Sequence, residues 1–170
     1  RSLKDKLCPS DNLVGKKQSL FLSNPKKGTF PCLNRICCTS IIKGNTVGHP
    51  TKGTAIKLND YVTCESNDVI YMLKCPCGQV YIGETTRAVT EPIKEHRGNI
   101  RNFIPVSRRF SNSCHNLKQL KWCVVEKVHQ PGRGGNTKTI LSQREAYGIT
   151  QMNTMSPIGM NDSWSINSFM

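Results

Sequence analysis

Residues 69–74 form a β-branched and aromatic run, and residues 79–82 form a second, closed by Gly83. Pro76, Cys77 and Gly78 between them are turn formers, so the two runs predict a β-hairpin with Tyr71 on one strand and Tyr81 on the other. The period then changes: Val89, Ile93, His96 and Ile100 recur at helical spacing within residues 85–102. Pro92 lies inside that pattern, where an interior proline costs roughly 3 kcal/mol. A start with Thr90 as N-cap places Glu91 and Pro92 in the first turn, where proline is tolerated. Residues 121–128 predict a third strand around Trp122, Val124 and Val128, and residues 55–58 a short one. Residues 137–152 read as a second helix with Ile140, Leu141, Ile149 and Met152 inward, Glu145 near its middle, and Gly148 leaving a gap on the apolar side. Connections this short exclude parallel crossovers. The expected class is α+β: a small antiparallel sheet of the hairpin and the strand near Trp122, with helices near 91–102 and 137–152 packed on it.

The flanks lack this periodicity. Residues 1–30 are polar and basic and broken by Pro25 and Gly28, which predicts a solvated arm or linker, with residues 20–22 as a small apolar anchor. Residues 31–64 are rich in Cys and His, 65–162 hold the periodic elements, and 163–170 are a tail. The length of 170 residues suits one domain with this extension.

Charge sharpens the division. The formal net charge is +13, and residues 1–58 carry 11 Lys and Arg against 2 acids, whereas 59–170 carry 13 against 9. Such a basic arm favours a polyanionic partner, most simply DNA. No apolar run approaches a membrane span and no signal peptide is visible, so the expected location is nuclear or cytoplasmic, not secreted, with no membrane partner.

The chain has nine cysteines, and without a secretory signal metal ligation or reduced thiols outweigh disulfides. Cys32, Cys38 and His49, with Cys37 as a spare, could supply zinc with thiolates and an imidazole, the fourth ligand coming from Cys37, Cys64, Cys75 or Cys77. The spacing is equally compatible with reduced cysteines. Arg35 stands where a Cys-x2-Cys-x2-Cys pattern needs its middle cysteine. Residues 103–120 read as a loop carrying Arg108, Arg109, Cys114 and His115, and residues 131–136 as a glycine-rich basic surface turn.

In order along the chain stand Val-Ile-Tyr71, Cys-Pro-Cys-Gly78, Tyr81-Ile-Gly-Glu-Thr85, Glu-His96-Arg, Gln-Arg-Glu145-Ala-Tyr and Pro-Ile-Gly-Met-Asn161. This set resembles the GIY-YIG endonucleases, and specifically the endonuclease region that usually ends the polyprotein of Penelope-like retroelements, over roughly residues 30–162. The resemblance implies hydrolysis of a phosphodiester with one divalent cation, Mg2+ or Mn2+. Tyr71 and Tyr81 would orient or deprotonate the attacking water, His96 would assist proton transfer, and Glu145 would hold the cation. Asn161 would contact substrate or brace the site. It also implies a detached C-terminal piece, with the reverse transcriptase region of the parent polyprotein as a potential partner.

The departures from that pattern shape the expected activity. The position of the catalytic arginine is Pro92, with Arg87 and Lys94 as the nearest substitutes for binding the scissile phosphate. Losing such a donor costs on the order of 10²–10³ in rate, by analogy with oxyanion-hole donors. A tryptophan of the family is Gly148 here. The expectation is an impaired retroelement-derived DNA endonuclease, the alternative a non-catalytic nucleic-acid-binding zinc module.

Overall fold

The computed structural model of the chain describes residues 25–33, 35–98, 106, 115–132 and 134–163. Ile100, residues 20–22, Arg108, Arg109 and Cys114, and the last turn expected for the first helix, lie outside them.

Among the described residues the chain runs β1 (Gly28–Phe30), a 3-10 turn (Ile36–Ser40), β2 (Thr46–Gly48), β3 (Ala55–Lys57) and β4 (Tyr61–Thr63). It continues through β5 (Val69–Lys74), β6 (Val80–Thr85), α1 (Thr90–Gly98), a 3-10 turn (Leu117–Gln119), β7 (Lys121–Lys127) and α2 (Thr137–Met152). The class is mixed α+β, as the periodicity predicts.

The central sheet has the order β6-β5-β7, antiparallel throughout. β5 is covered on both faces, which explains why residues 69–73 are all buried rather than alternating. One face carries Val69, Tyr71, Leu73, Trp122 and Val124 against Val89 and Ile93 of the α1 region. The other carries Ile70, Met72, Val80 and Ile82 against Leu141, Ile149 and Met152 of α2. The helices therefore pack on opposite faces. A bulge between Ile70 and Tyr71 shifts the pairing with β7.

α1 begins at Thr90, so Pro92 falls in the first turn, where its missing N–H costs nothing. The N–H groups of Val89 and Thr90 donate to the carbonyls of Ser66 and Cys64 (3.1 Å each), fastening the start of α1 to the end of β4. α2 is capped by Asn136, whose side chain accepts from the Lys138 N–H at 3.0 Å. It ends at Asn153 in the left-handed region (φ 53°), a conformation asparagine tolerates.

Three expectations need correction. Residues 28–30 are not part of a solvated arm: β1 pairs in parallel with β4, and Thr29 is buried against β7. The rule against parallel crossovers holds for the central sheet but not here, because the β2–β3 hairpin provides the long return. Gly148 leaves no gap: a Cβ there would stand 3.3 Å from Ile82 Cγ2 and 4.0 Å from Ile70 Cγ2, so α2 sits against the sheet at that point.

Both edges of the sheet are occupied by means other than strands. On the β7 side, the Thr29 hydroxyl accepts from the Val124 N–H (3.0 Å) and donates to the Val124 carbonyl (3.3 Å), and the Ile42 N–H donates to the Trp122 carbonyl (2.8 Å). On the β6 side, the Asn161 amide bonds the N–H and carbonyl of Ile82 (3.0 and 2.8 Å), and the Met160 N–H donates to the Val80 carbonyl (2.9 Å).

Candidate active site

Tyr71 faces Gly83 across the β5–β6 pair, and Tyr81 lies two residues before Gly83 on the same side of β6. The glycine is required by space rather than by φ. A Cβ at position 83 would lie 2.7 Å from Tyr71 Cζ and Oη and 2.8 Å from Tyr81 Cε1. Removing that carbon lets both phenols converge on α1. Tyr71 Oη is 3.1 Å from His96 Nε2, and the His96 ring centroid is 5.4 Å from that of Tyr81. The ring centroids of the two tyrosines are 6.4 Å apart.

Burial sets the protonation of this group. It pushes Tyr71 well above the usual phenol range and Tyr81 up to about 12, with Glu145 and Glu84 contributing to both. It pulls His96 down to about 4, so near neutrality the two tyrosines are protonated and the imidazole is neutral. Among the described residues His96 Nδ1 is buried without a partner.

Glu145 comes from the middle of α2 toward β6, the edge strand. Burial and the neighbouring Glu84 charge raise its carboxyl to about 7, against the opposing effect of a hydrogen bond from the Glu84 backbone. Glu84 is raised by burial as well, although the Ser142 hydroxyl donates to its Oε1 at 3.0 Å. Its Oε2 is buried with no partner among the described residues. Glu84 belongs to this group of side chains and sequence reasoning missed it; the cue was an acid one residue past Gly83 on a largely apolar strand.

The residues expected to bind substrate have partners within the chain. Arg87 pairs with Glu95 (2.9 Å) and Lys94 with Glu91 (3.3 Å), both on the surface. Asn161 is buried with its amide bonded to Ile82, which braces β6 as one of the two expected roles requires. Pro92 is buried four residues before His96, on the same face of α1.

The zinc ligand set also changes. His49 is not near Cys32 and Cys38. Its Nε2 is 2.9 Å from the Gln151 carbonyl, and its Nδ1 accepts from the N–H groups of Thr51 (3.2 Å) and Lys52 (3.1 Å). Both ring nitrogens are committed to tying the β2–β3 turn to the end of α2. Cys64 instead joins Cys32 and Cys38. Burial acts to raise the Cys38 thiol, but hydrogen bonds from the Cys64 and Cys32 sulfurs and the Arg35 and Leu33 N–H groups bring it to about 7, while burial raises Cys64. Cys75, Cys77 and His115 form a second such group at the β5–β6 turn, with the Cys77 and Cys75 sulfurs 2.8 Å apart. Either group could hold a thiophilic metal such as zinc.

No family model, curated protein or solved structure matches this chain. Among the described residues no helix is long and apolar enough to cross a membrane.

Proposed function

We propose that residues 65–162 are a phosphodiester-cleaving domain of the GIY-YIG type, derived from a retroelement, that acts on DNA and whose cleavage is impaired at Pro92. The observation that carries this reading is the convergence of Tyr71, Tyr81 and His96, with Tyr71 Oη 3.1 Å from His96 Nε2, beside the carboxylates of Glu145 and Glu84. A core pair of tyrosines has no need of a buried histidine and two half-buried acids nearby.

The acids fit a divalent cation, Mg2+ or Mn2+. Glu84 Oε2 lacks a partner among the described residues, and Glu145, whose proton affinity is raised by burial and by the Glu84 charge, can exchange its proton for a hard cation. Glu145 would hold it, with Glu84 beside it, and the cation would stabilise the leaving oxygen. Tyr71, hydrogen-bonded to neutral His96, would orient the attacking water and pass its proton to the imidazole.

The missing element is a positive charge on the scissile phosphate. An arginine at position 92 would project from the same face of α1 as His96. Pro92 supplies neither charge nor donor, and Arg87 and Lys94 are held by Glu95 and Glu91. The loss falls on the transition state and therefore on rate more than on affinity. The same ion pairs favour the second reading, a module that binds nucleic acid through its basic arm without cleaving it. A reverse transcriptase region of a parent polyprotein remains a proposed partner.

Nicking of supercoiled plasmid with Mg2+ or Mn2+ tests the reading. The unaltered chain should nick very weakly, Pro92→Arg should raise the rate, and adding Glu145→Ala should abolish the gain. Robust nicking by the unaltered chain would overturn the impairment. A folded, DNA-binding Pro92→Arg protein without nicking would overturn the nuclease reading in favour of the second.

A further inference from the structure

We propose that Cys32, Cys38 and Cys64 bind one zinc ion through three thiolates and leave its fourth coordination position to a ligand from outside the chain. This rests on a different part of the molecule from the tyrosine site and stands whether or not that site cleaves DNA.

The three sulfurs form a compact triangle: Cys64 to Cys32 is 3.0 Å, Cys38 to Cys64 is 3.2 Å and Cys32 to Cys38 is 3.6 Å. A zinc ion about 2.3 Å from each sulfur fits above that triangle, on one side of its plane. The fold builds the triangle from separate segments. β1 and β4 run parallel in register, Phe30 beside Thr63, so the chains leaving them carry Cys32 and Cys64 side by side. Leu33, in the left-handed region (φ 68°), turns the chain back, and the following 3-10 turn returns Cys38 to the same point.

Backbone donors are aimed at the sulfurs. The Cys32 N–H donates to Cys64 Sγ at 3.5 Å, and the N–H groups of Leu33 and Arg35 point at the Cys38 sulfur. Donors converging on sulfur stabilise thiolates; thiols packed only as small apolar groups do not need them. Binding then exchanges three thiol protons for one Zn2+, and the complex carries a single negative charge.

The fourth position has no ligand among the described residues. His49 is committed elsewhere, as shown above. Cys37 is buried, with its carbonyl accepting the Trp122 indole N–H at 3.0 Å; its thiol reaches Cys64 but does not join the compact group of Cys32, Cys38 and Cys64. Arg35 cannot ligate, and its guanidinium reaches Glu65 at 3.4 Å on the surface. Cys32 and Cys38 are only half-buried, so the open side faces solvent. Zinc held by three protein ligands accepts water, a small thiol or an imidazole in the fourth place. The Cys64 carbonyl also holds the first N–H of α1, so metal at this point would steady the helix that carries His96.

The test uses the full chain with Cys77→Ser, which disables the second thiol group. Protein purified under reducing conditions without chelator should contain one zinc per chain, lost in the added Cys38→Ser variant. Co2+ exchanged for zinc should give sulfur-to-cobalt charge-transfer absorption, and added imidazole should shift its visible bands. Arg35→Cys should raise zinc affinity at least tenfold and abolish the imidazole shift. Metal-free protein, metal retained in Cys38→Ser, or a Cys32–Cys64 disulfide in the reduced preparation would overturn the site. Cobalt bands insensitive to imidazole would overturn the open position. Should Cys38→Ser fail to fold, the Arg35→Cys comparison still decides the matter.

Discussion

Gly83→Ala tests whether the tyrosine–histidine arrangement depends on the absence of one carbon. The added Cβ would fall 2.7 Å from Tyr71 Cζ and Oη and 2.8 Å from Tyr81 Cε1. Carbon contacts are favourable only beyond about 3.5 Å, so the rings must retreat by nearly 1 Å. Tyr71 is walled in by buried neighbours, and its Oη is 3.1 Å from His96 Nε2, so the retreat both strains the core and breaks the hydrogen bond. Overpacking costs about 1–3 kcal/mol and the lost bond about 1 kcal/mol, giving a destabilisation on the order of 2–4 kcal/mol. The assay is urea denaturation followed by circular dichroism, with the His96 pKa from NMR titration as a second readout. That pKa should move up from about 4 as the ring is uncovered. A change below about 0.5 kcal/mol with an unmoved His96 titration would refute the spatial argument, because such a result belongs to an ordinary surface substitution.

Stability should depend on pH in two opposed ways. His96 is held neutral in the fold, so the unfolded chain takes up the proton between its usual 6.5 and about 4, and stability falls as pH drops through that window. Glu145 has its carboxyl raised from 4.5 to about 7, so stability from this group falls as pH rises through that range; Glu145→Gln should recover roughly 1–2 kcal/mol at pH 8 relative to pH 5, after discounting for partial exposure, and an unchanged pH profile in urea denaturation would contradict it. DNA binding should weaken and lose salt dependence when residues 1–24 are removed, measured as the slope of log affinity against log salt; the cut stops short of β1 because Thr29 is buried, and an unchanged slope would dismiss the arm as a phosphate contact.

Runs of β-branched and aromatic residues carried the central sheet, and apolar positions at helical spacing carried both helices. The hairpin, the strand at Trp122 and the start near Thr90 all appear close to their expected bounds. β1 was not legible: three residues, Gly-Thr-Phe, have no period, and their partner lies some thirty residues on. The metal group followed the same fate. Cys64 joins Cys32 and Cys38 only through the parallel pairing of β1 with β4, while His49 looked suitable by its spacing but spends both nitrogens on backbone. Gly148 looked like a vacancy because a sequence shows a missing side chain but not how far a helix can approach. Gly83 was read as closing the second strand, whereas β6 runs on through it to Thr85, and the reason for the glycine lies in the two rings beside it.

The side chains of Thr29 and Asn161 stand in for neighbouring strands at opposite margins of the sheet. An uncovered margin is a template on which another copy of the chain, or an extended peptide, can continue the hydrogen-bond ladder. Here one hydroxyl and one amide satisfy that template at single residues, at little cost in chain length. A partner is thereby directed away from strand addition along these margins. The protection is also brittle: a single substitution at position 29 or 161 uncovers backbone groups, and self-association becomes the natural failure of this fold.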